Sequence, residues 1–171
     1  MNNKLFDTFL FVARRLNQEL KIRPLLYGSL GLELITNHEF NPQDIDVLIP
    51  EEFIGEHWDE FLSVMLEIGC ELVDLHEHEF LFNNIRIAFA RIEELKQFAG
   101  INSASIRNLD HEGIEYKLLT LEQYLSVYKR SSTDGYRKNH KNKKDSEKIE
   151  LIERILRIEI LQYSEEDSDF V

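Results

Sequence analysis

The sequence predicts an α+β fold, and two kinds of pattern carry that prediction. Segments of helical period occur at 4–20, 50–69 and 146–161. Among them lie short apolar stretches at 24–27, 44–49, 70–82, 84–90 and 114–119, bounded by Gly, Pro and Asn, which read as strands.

Residues 4–20 place Leu5, Phe6, Phe9, Leu10, Val12 and Leu16 on one helical stripe, and Arg23-Pro24 ends it. Pro24 to Tyr27 reads as a short buried strand running into Gly28-Ser29. Residues 30–36 suit a short helix, and the polar stretch 37–43, with Pro42, suits a loop. In 44–49 strict alternation puts Asp44 and Asp46 on one face and Ile45 and Val47 on the other. The helical stretch from Pro50 ends at Gly69, a suitable C-cap. Two strands follow around Asn83-Asn84, then a short helix over 92–98 that stops at Gly100. Residues 102–112 are polar and match no element. Ile114 to Leu119 reads as a last strand. Thr120 can cap a helix over 121–128, with Gln123 placed as in a capping box. The basic stretch 129–145 suggests a loop.

The chain has 171 residues, which suits one domain over 1–161, followed by an acidic tail, 162–171, expected to be flexible. The net charge of -12 disfavours nonspecific binding to nucleic acid or to an anionic membrane. It leaves room for a small nucleotide carried with a divalent metal. A single cysteine, Cys70, excludes an intrachain disulfide and a cysteine cluster for zinc, and its neighbours suggest a buried thiol. No apolar run is long enough for a membrane span or a signal core, so the cytoplasm is the expected location. None of these features specifies an oligomeric state.

The chemistry concentrates where a strand meets Gly28-Ser29 and a second strand carries Asp44-x-Asp46. A glycine at a strand end permits a tight turn and close backbone approach. A serine hydroxyl and a helix N-terminus can cradle phosphate. Two carboxylates on one strand face can converge on magnesium, with phosphate oxygens as further ligands. Each feature alone is common in solvated loops; their order and apolar flanks set them apart.

The stretch LLYGSLGLELITNHEFNPQDIDVLI resembles the motif of the nucleotidyltransferase superfamily, whose DNA-polymerase-beta-like fold includes small antibiotic nucleotidyltransferases. Tyr27, Gly28, Ser29, Asp44, Ile45 and Asp46 carry the match, with a slightly long interval over residues 30–43. The later stretches IEYKLLTLEQYLSVYKR and KNKKDSEKIELI are similar to a second family motif, matched at Lys143, Lys144 and Asp145. The resemblance implies helices on a mixed sheet, Mg2+ at Asp44 and Asp46, and a nucleoside triphosphate co-substrate seated at Gly28 and Ser29. It implies transfer of a nucleoside monophosphate to a hydroxyl on a small molecule or protein. The alternative is a noncatalytic module of this fold that binds a nucleotide or a partner protein.

Family members also supply a third carboxylate from a neighbouring strand, as metal ligand or base. Asp74, in Leu72-Val73-Asp74-Leu75, is the candidate, and alternation would set it on one face with His76 and His78. The other candidate position is Ala88, which has no carboxylate; Glu77, Glu79 and Glu115 are further substitutes. His76 and His78 could also be edge-strand residues without a ligand. Arg86 and Arg91 either face phosphate or face solvent. The basic run Arg137, Lys138, Lys141, Lys143, Lys144 and Lys148 is a solvated loop or a clamp for phosphate, and Lys129 and Lys144 are its candidate contacts. Asp145 would cap the last helix and orient Lys144.

Overall fold

The structure is a computed structural model, and it describes residues 3–133 and 142–168. The chain forms two compact units, Met1–Gln97 with Ile101–Thr120, and Phe98–Gly100 with Leu121–Val171.

The first unit opens with α1, Asn3–Leu20. Its stripe of Leu5, Phe6, Phe9, Leu10, Val12, Ala13 and Leu16 is buried, as the sequence period requires. β1, Leu25–Tyr27, leads without a break into α2, Gly28–Thr36. β2, Ile45–Ile49, follows the loop. A 3-10 turn at Glu51–Phe53 precedes α3, Trp58–Glu67, so the helical stretch expected from Pro50 is two pieces. Gly69 caps α3 with a φ of +94°, and the Cys70 N–H returns to the Met65 carbonyl at 3.0 Å. The Cys70 thiol is buried, which pushes its pKa up to about 11.

A meander follows: β3, Glu71–Asp74, β4, Glu79–Phe82, and β5, Ile85–Arg91. Asn83 and Asn84 both take positive φ, 49° and 64°, as a two-residue hairpin turn demands. α4, Glu94–Ala99, comes next. β6, Arg107–His111, and β7, Ile114–Leu118, form a second hairpin through Glu112-Gly113. The seven strands make one sheet in the order β3-β4-β5-β2-β1-β7-β6. β2 runs parallel to β5 and β1 parallel to β7; the other pairs are antiparallel. This mixed sheet, with six α-helices among the described residues, is the α+β class read from the sequence.

The core lies where α1 and α3 meet one face of the sheet. Phe61, Val64 and Met65 of α3 join Ile45, Val47, Phe80, Ile87 and Phe89 from the strands. Because side chains alternate along a strand, burying these positions turns Asp46, Ala88 and Glu79 to the opposite face.

The second unit contains α5, Leu121–Thr133, packed on α6, Asn142–Ser168. α5 is longer than the helix expected from its capping box, and α6 begins before and runs past the helical spacing read over 146–161. Residues Arg137, Lys138 and Lys141 of the basic run lie outside the described residues. Asp145 is buried in the first turn of α6, and its Oδ2 accepts a hydrogen bond from the Ser131 hydroxyl at 3.1 Å. Its side chain thus ties α6 to α5. Asp145→Ala removes a buried acceptor and is expected to lower stability by about 1–3 kcal/mol. A denaturant titration followed by helical circular dichroism checks this, and an unchanged midpoint would contradict it.

Candidate functional site

β1 and β2 pair antiparallel with Tyr27 opposite Asp46. The end of β1 therefore delivers Gly28 beside the start of β2. Gly28 takes a φ of +68°, a backbone state that side chains with a Cβ avoid. A Cβ there would lie 2.5 Å from Asp46 Oδ2 and 3.3 Å from Asp46 Cβ and Cγ. The glycine turn and the carboxylate thus occupy one tight corner, and the missing Cβ is what makes room for it.

Asp44 and Asp46 are exposed, whereas Ile45 and Val47 are buried, so the alternation expected at this strand holds. Ser29 sits in the first turn of α2, where the helix dipole favours negative charge. Buried Leu30 and Leu32 anchor that helix. Asp46 stands beside the start of α2, and Asp44 precedes it by two residues; carboxylate oxygens are the donor type that a hard divalent cation takes.

The register across the sheet decides what stands next to the pair. Asp46 is opposite Ala88 of β5, Ala88 is opposite Glu79 of β4, and Glu79 is opposite Asp74 of β3. Asp74 is thus three strands from Asp46, roughly 14 Å at ordinary strand spacing. The structure does not bring Asp74 beside Asp46, the place expected for it from the sequence. Its Oδ1 instead accepts the His76 and Glu77 N–H groups at 2.9 and 3.1 Å, closing a turn. The position beside Asp46 belongs to Ala88, which offers a methyl group.

That turn also undoes the shared face expected for Asp74, His76 and His78. Residues 75–78 form a turn, with His78 at a φ of 50°. His78 packs edge-on against Trp58, ring centroids 5.2 Å apart, and burial together with nearby Arg91 lowers its pKa. Glu115 pairs with Arg23 at 3.3 Å on β7. Among the described residues, the three metal-type groups that converge within 4.8 Å are Glu52, Glu56 and His57, an exposed cluster that includes neither aspartate of the pair.

Glu79 is mostly covered and accepts a 2.8 Å hydrogen bond from Arg86 Nη1. That bond and the Glu79 charge raise the Arg86 pKa, and Asp44 adds to the shift. Lys129 and Lys144 both belong to the second unit. The Lys129 ammonium is paired with Glu153 Oε1 at 3.2 Å, and Lys144 is exposed at the start of α6. Lys148 lies over the Tyr128 ring, 5.0 Å from its centroid. The short interval from Glu79 to Arg86 across the Asn83-Asn84 turn was the signal that could have singled out this pair.

The fold is that of the nucleotidyltransferases. An antigenic nucleotidyltransferase-like protein from Paracoccidioides brasiliensis superposes with a TM-score of 0.62 at 15% identity, over 88% of this chain and 76% of that one. ANT(2")-Ia, solved in complex with adenylyl-2"-tobramycin, superposes with a TM-score of 0.57 at 13% identity, over 96% of this chain and 98% of that one. No family model matches the sequence. The chain belongs to the family of the Bacillus subtilis (strain 168) protein YnaI, itself described as uncharacterized, with 46% identity over 154 residues, 90% of this chain and 99% of YnaI.

Proposed function

We propose that the protein binds a nucleoside triphosphate with magnesium and transfers its nucleoside monophosphate to a hydroxyl acceptor. The observation that carries this reading is the corner in which Gly28, at a φ of +68°, leaves space for Asp46 against the start of α2. Asp44 and Asp46 would hold Mg2+; Ser29 and the α2 N-terminus would seat phosphate oxygens. The metal, when bound, offsets phosphate charge and polarises the reacting phosphoryl group. In the balanced step, the acceptor oxygen attacks the α-phosphorus and loses its proton to solvent. The bond from that phosphorus to the bridging oxygen breaks, and pyrophosphate leaves. The fold shared with ANT(2")-Ia, solved in complex with adenylyl-2"-tobramycin, supports a nucleotidyl chemistry with a small-molecule acceptor.

A second reading, a module that binds the nucleotide or a partner protein without transfer, is favoured by one observation. Ala88 rather than a carboxylate stands beside Asp46. Calorimetry with magnesium and non-hydrolysable triphosphates tests binding; pyrophosphate release with a panel of hydroxyl acceptors tests transfer. Asp46→Asn halves the charged donor set and is expected to weaken magnesium-dependent binding by about tenfold or more, as loss of a charged ligand of roughly 1.5–3 kcal/mol implies. Unchanged affinity in that variant would overturn the metal site. Binding with no pyrophosphate from any acceptor would favour the second reading.

A further inference from the structure

The proposed ligand is strongly anionic, and it meets two carboxylates. One divalent ion offsets only part of that charge, so a cation on the same sheet face is required for tight binding. The candidates from sequence, Lys129 and Lys144, both belong to the second unit rather than to the sheet that carries the aspartates.

The register supplies another cation. Ile45 pairs with Ile87 and Asp46 with Ala88. Asp44 immediately precedes β2 and Arg86 immediately precedes Ile87 on β5, so both stand at the entry to this pairing. Arg86 and Ala88 alternate with buried Ile85, Ile87 and Phe89, so they point to the face that carries the aspartates. The influence of Asp44 on the Arg86 guanidinium agrees with that placement.

Glu79 sets the direction of this guanidinium. It stands opposite Ala88, diagonal to Arg86, and its side chain is 19% exposed against 56% for Arg86. The 2.8 Å bond from Arg86 Nη1 therefore ends on a carboxylate held in the sheet, while the guanidinium extends into solvent. A guanidinium carries five donors in a rigid fork, and this bond uses one of them. The fork geometry matches phosphate oxygens. The small Ala88 side chain stands between Asp46 and Glu79 on this face and adds no charge of its own.

We propose that Arg86 grips the phosphates of the nucleotide bound at Asp44 and Asp46, and that Glu79 is the positioning residue that aims it. The proposal rests on the nucleotide reading above and names the cation that this reading needs. It also gives the alanine a role: a carboxylate at position 88 would draw the guanidinium away from the phosphates.

The test is calorimetric titration with magnesium and non-hydrolysable analogues of the four nucleoside triphosphates, using wild type, Arg86→Gln, Arg86→Lys, Glu79→Gln and Asp46→Asn. Arg86→Gln is expected to weaken triphosphate binding about 10–100-fold, the range for a charge-assisted hydrogen bond, with much less change for the unphosphorylated nucleoside. Arg86→Lys keeps the charge and loses the fork, so part of the affinity returns. Glu79→Gln leaves the cation in place but holds it less firmly, giving a loss of several-fold. Thermal melting of each variant, including the mostly covered Glu79→Gln, checks that the fold is intact. Wild-type affinity in Arg86→Gln, alongside lost affinity in Asp46→Asn, would overturn the role of Arg86 and leave the nucleotide site standing. Wild-type affinity in Glu79→Gln would overturn the positioning role. A wild-type protein that binds none of the four analogues would overturn the nucleotide reading itself.

Discussion

Gly28→Ala is expected to destabilise the protein by about 2–5 kcal/mol and to abolish most magnesium-dependent nucleotide binding. Two physical costs add. A left-handed backbone costs an ordinary residue about 1–2 kcal/mol, and Gly28 has a φ of +68°. Overpacking costs about 1–3 kcal/mol, and the new Cβ would lie 2.5 Å from Asp46 Oδ2. The cheapest relief is rotation of the Asp46 carboxylate, since its tip is the mobile part of the contact. That relief recovers some stability at the expense of the site, because Asp46 no longer points with Asp44. Binding should therefore suffer more than the melting temperature alone would suggest. Urea denaturation and calorimetry on the same preparation separate the two effects. A variant that melts and binds like wild type would show that Gly28 and Asp46 are not coupled.

The corner at Gly28 and Asp46 was legible because its signals are local. Alternation in 44–49 depends on a few adjacent residues, and burial of Ile45 and Val47 reproduces it. Gly69 and Asn83-Asn84 were legible for the same reason, since positive φ is a property of one or two residues. What failed was long-range or faint. Asp74 looked like a partner of Asp46 because it sits in a hydrophobic strand pattern. Its place is set by the parallel pairing of β2 with β5, which skips two strands in sequence, and by a turn that its own side chain caps. β6 escaped notice because it is an edge strand of mostly exposed Arg, Asn, Asp and His side chains, so it lacks the apolar alternation of a half-buried strand. The reach of α6 beyond 161 was missed because its last turns, including Tyr163, are exposed and acidic and carry no apolar stripe.

The same register that moves Asp74 away makes β5 the strand on which the proposed site depends, and Phe61 packs against β5 from the core face. Phe61 is fully buried in α3, with ring centroids 4.8 Å from Phe89 on β5 and 6.0 Å from Phe80 on β4. Both contacts are edge-to-face, the arrangement that aromatic quadrupoles favour. Phe61→Ala is expected to cost about 3–5 kcal/mol, from lost burial and from the cavity left among rings that are themselves packed. That is a large share of a domain's net stability, so a fall of several degrees or more in melting temperature follows. Phe80 and Phe89 face the core, whereas Glu79, Arg86 and Ala88 on the same strands face the other way. Well below the melting point, the strand register should persist and nucleotide affinity should stay within a few-fold of wild type. Loss of stability with retained affinity is the outcome this packing demands. If affinity fell as steeply in Phe61→Ala as in Asp46→Asn while the fold persisted, β5 would be responding to its core face, and the site could not be treated as resting on a rigid sheet.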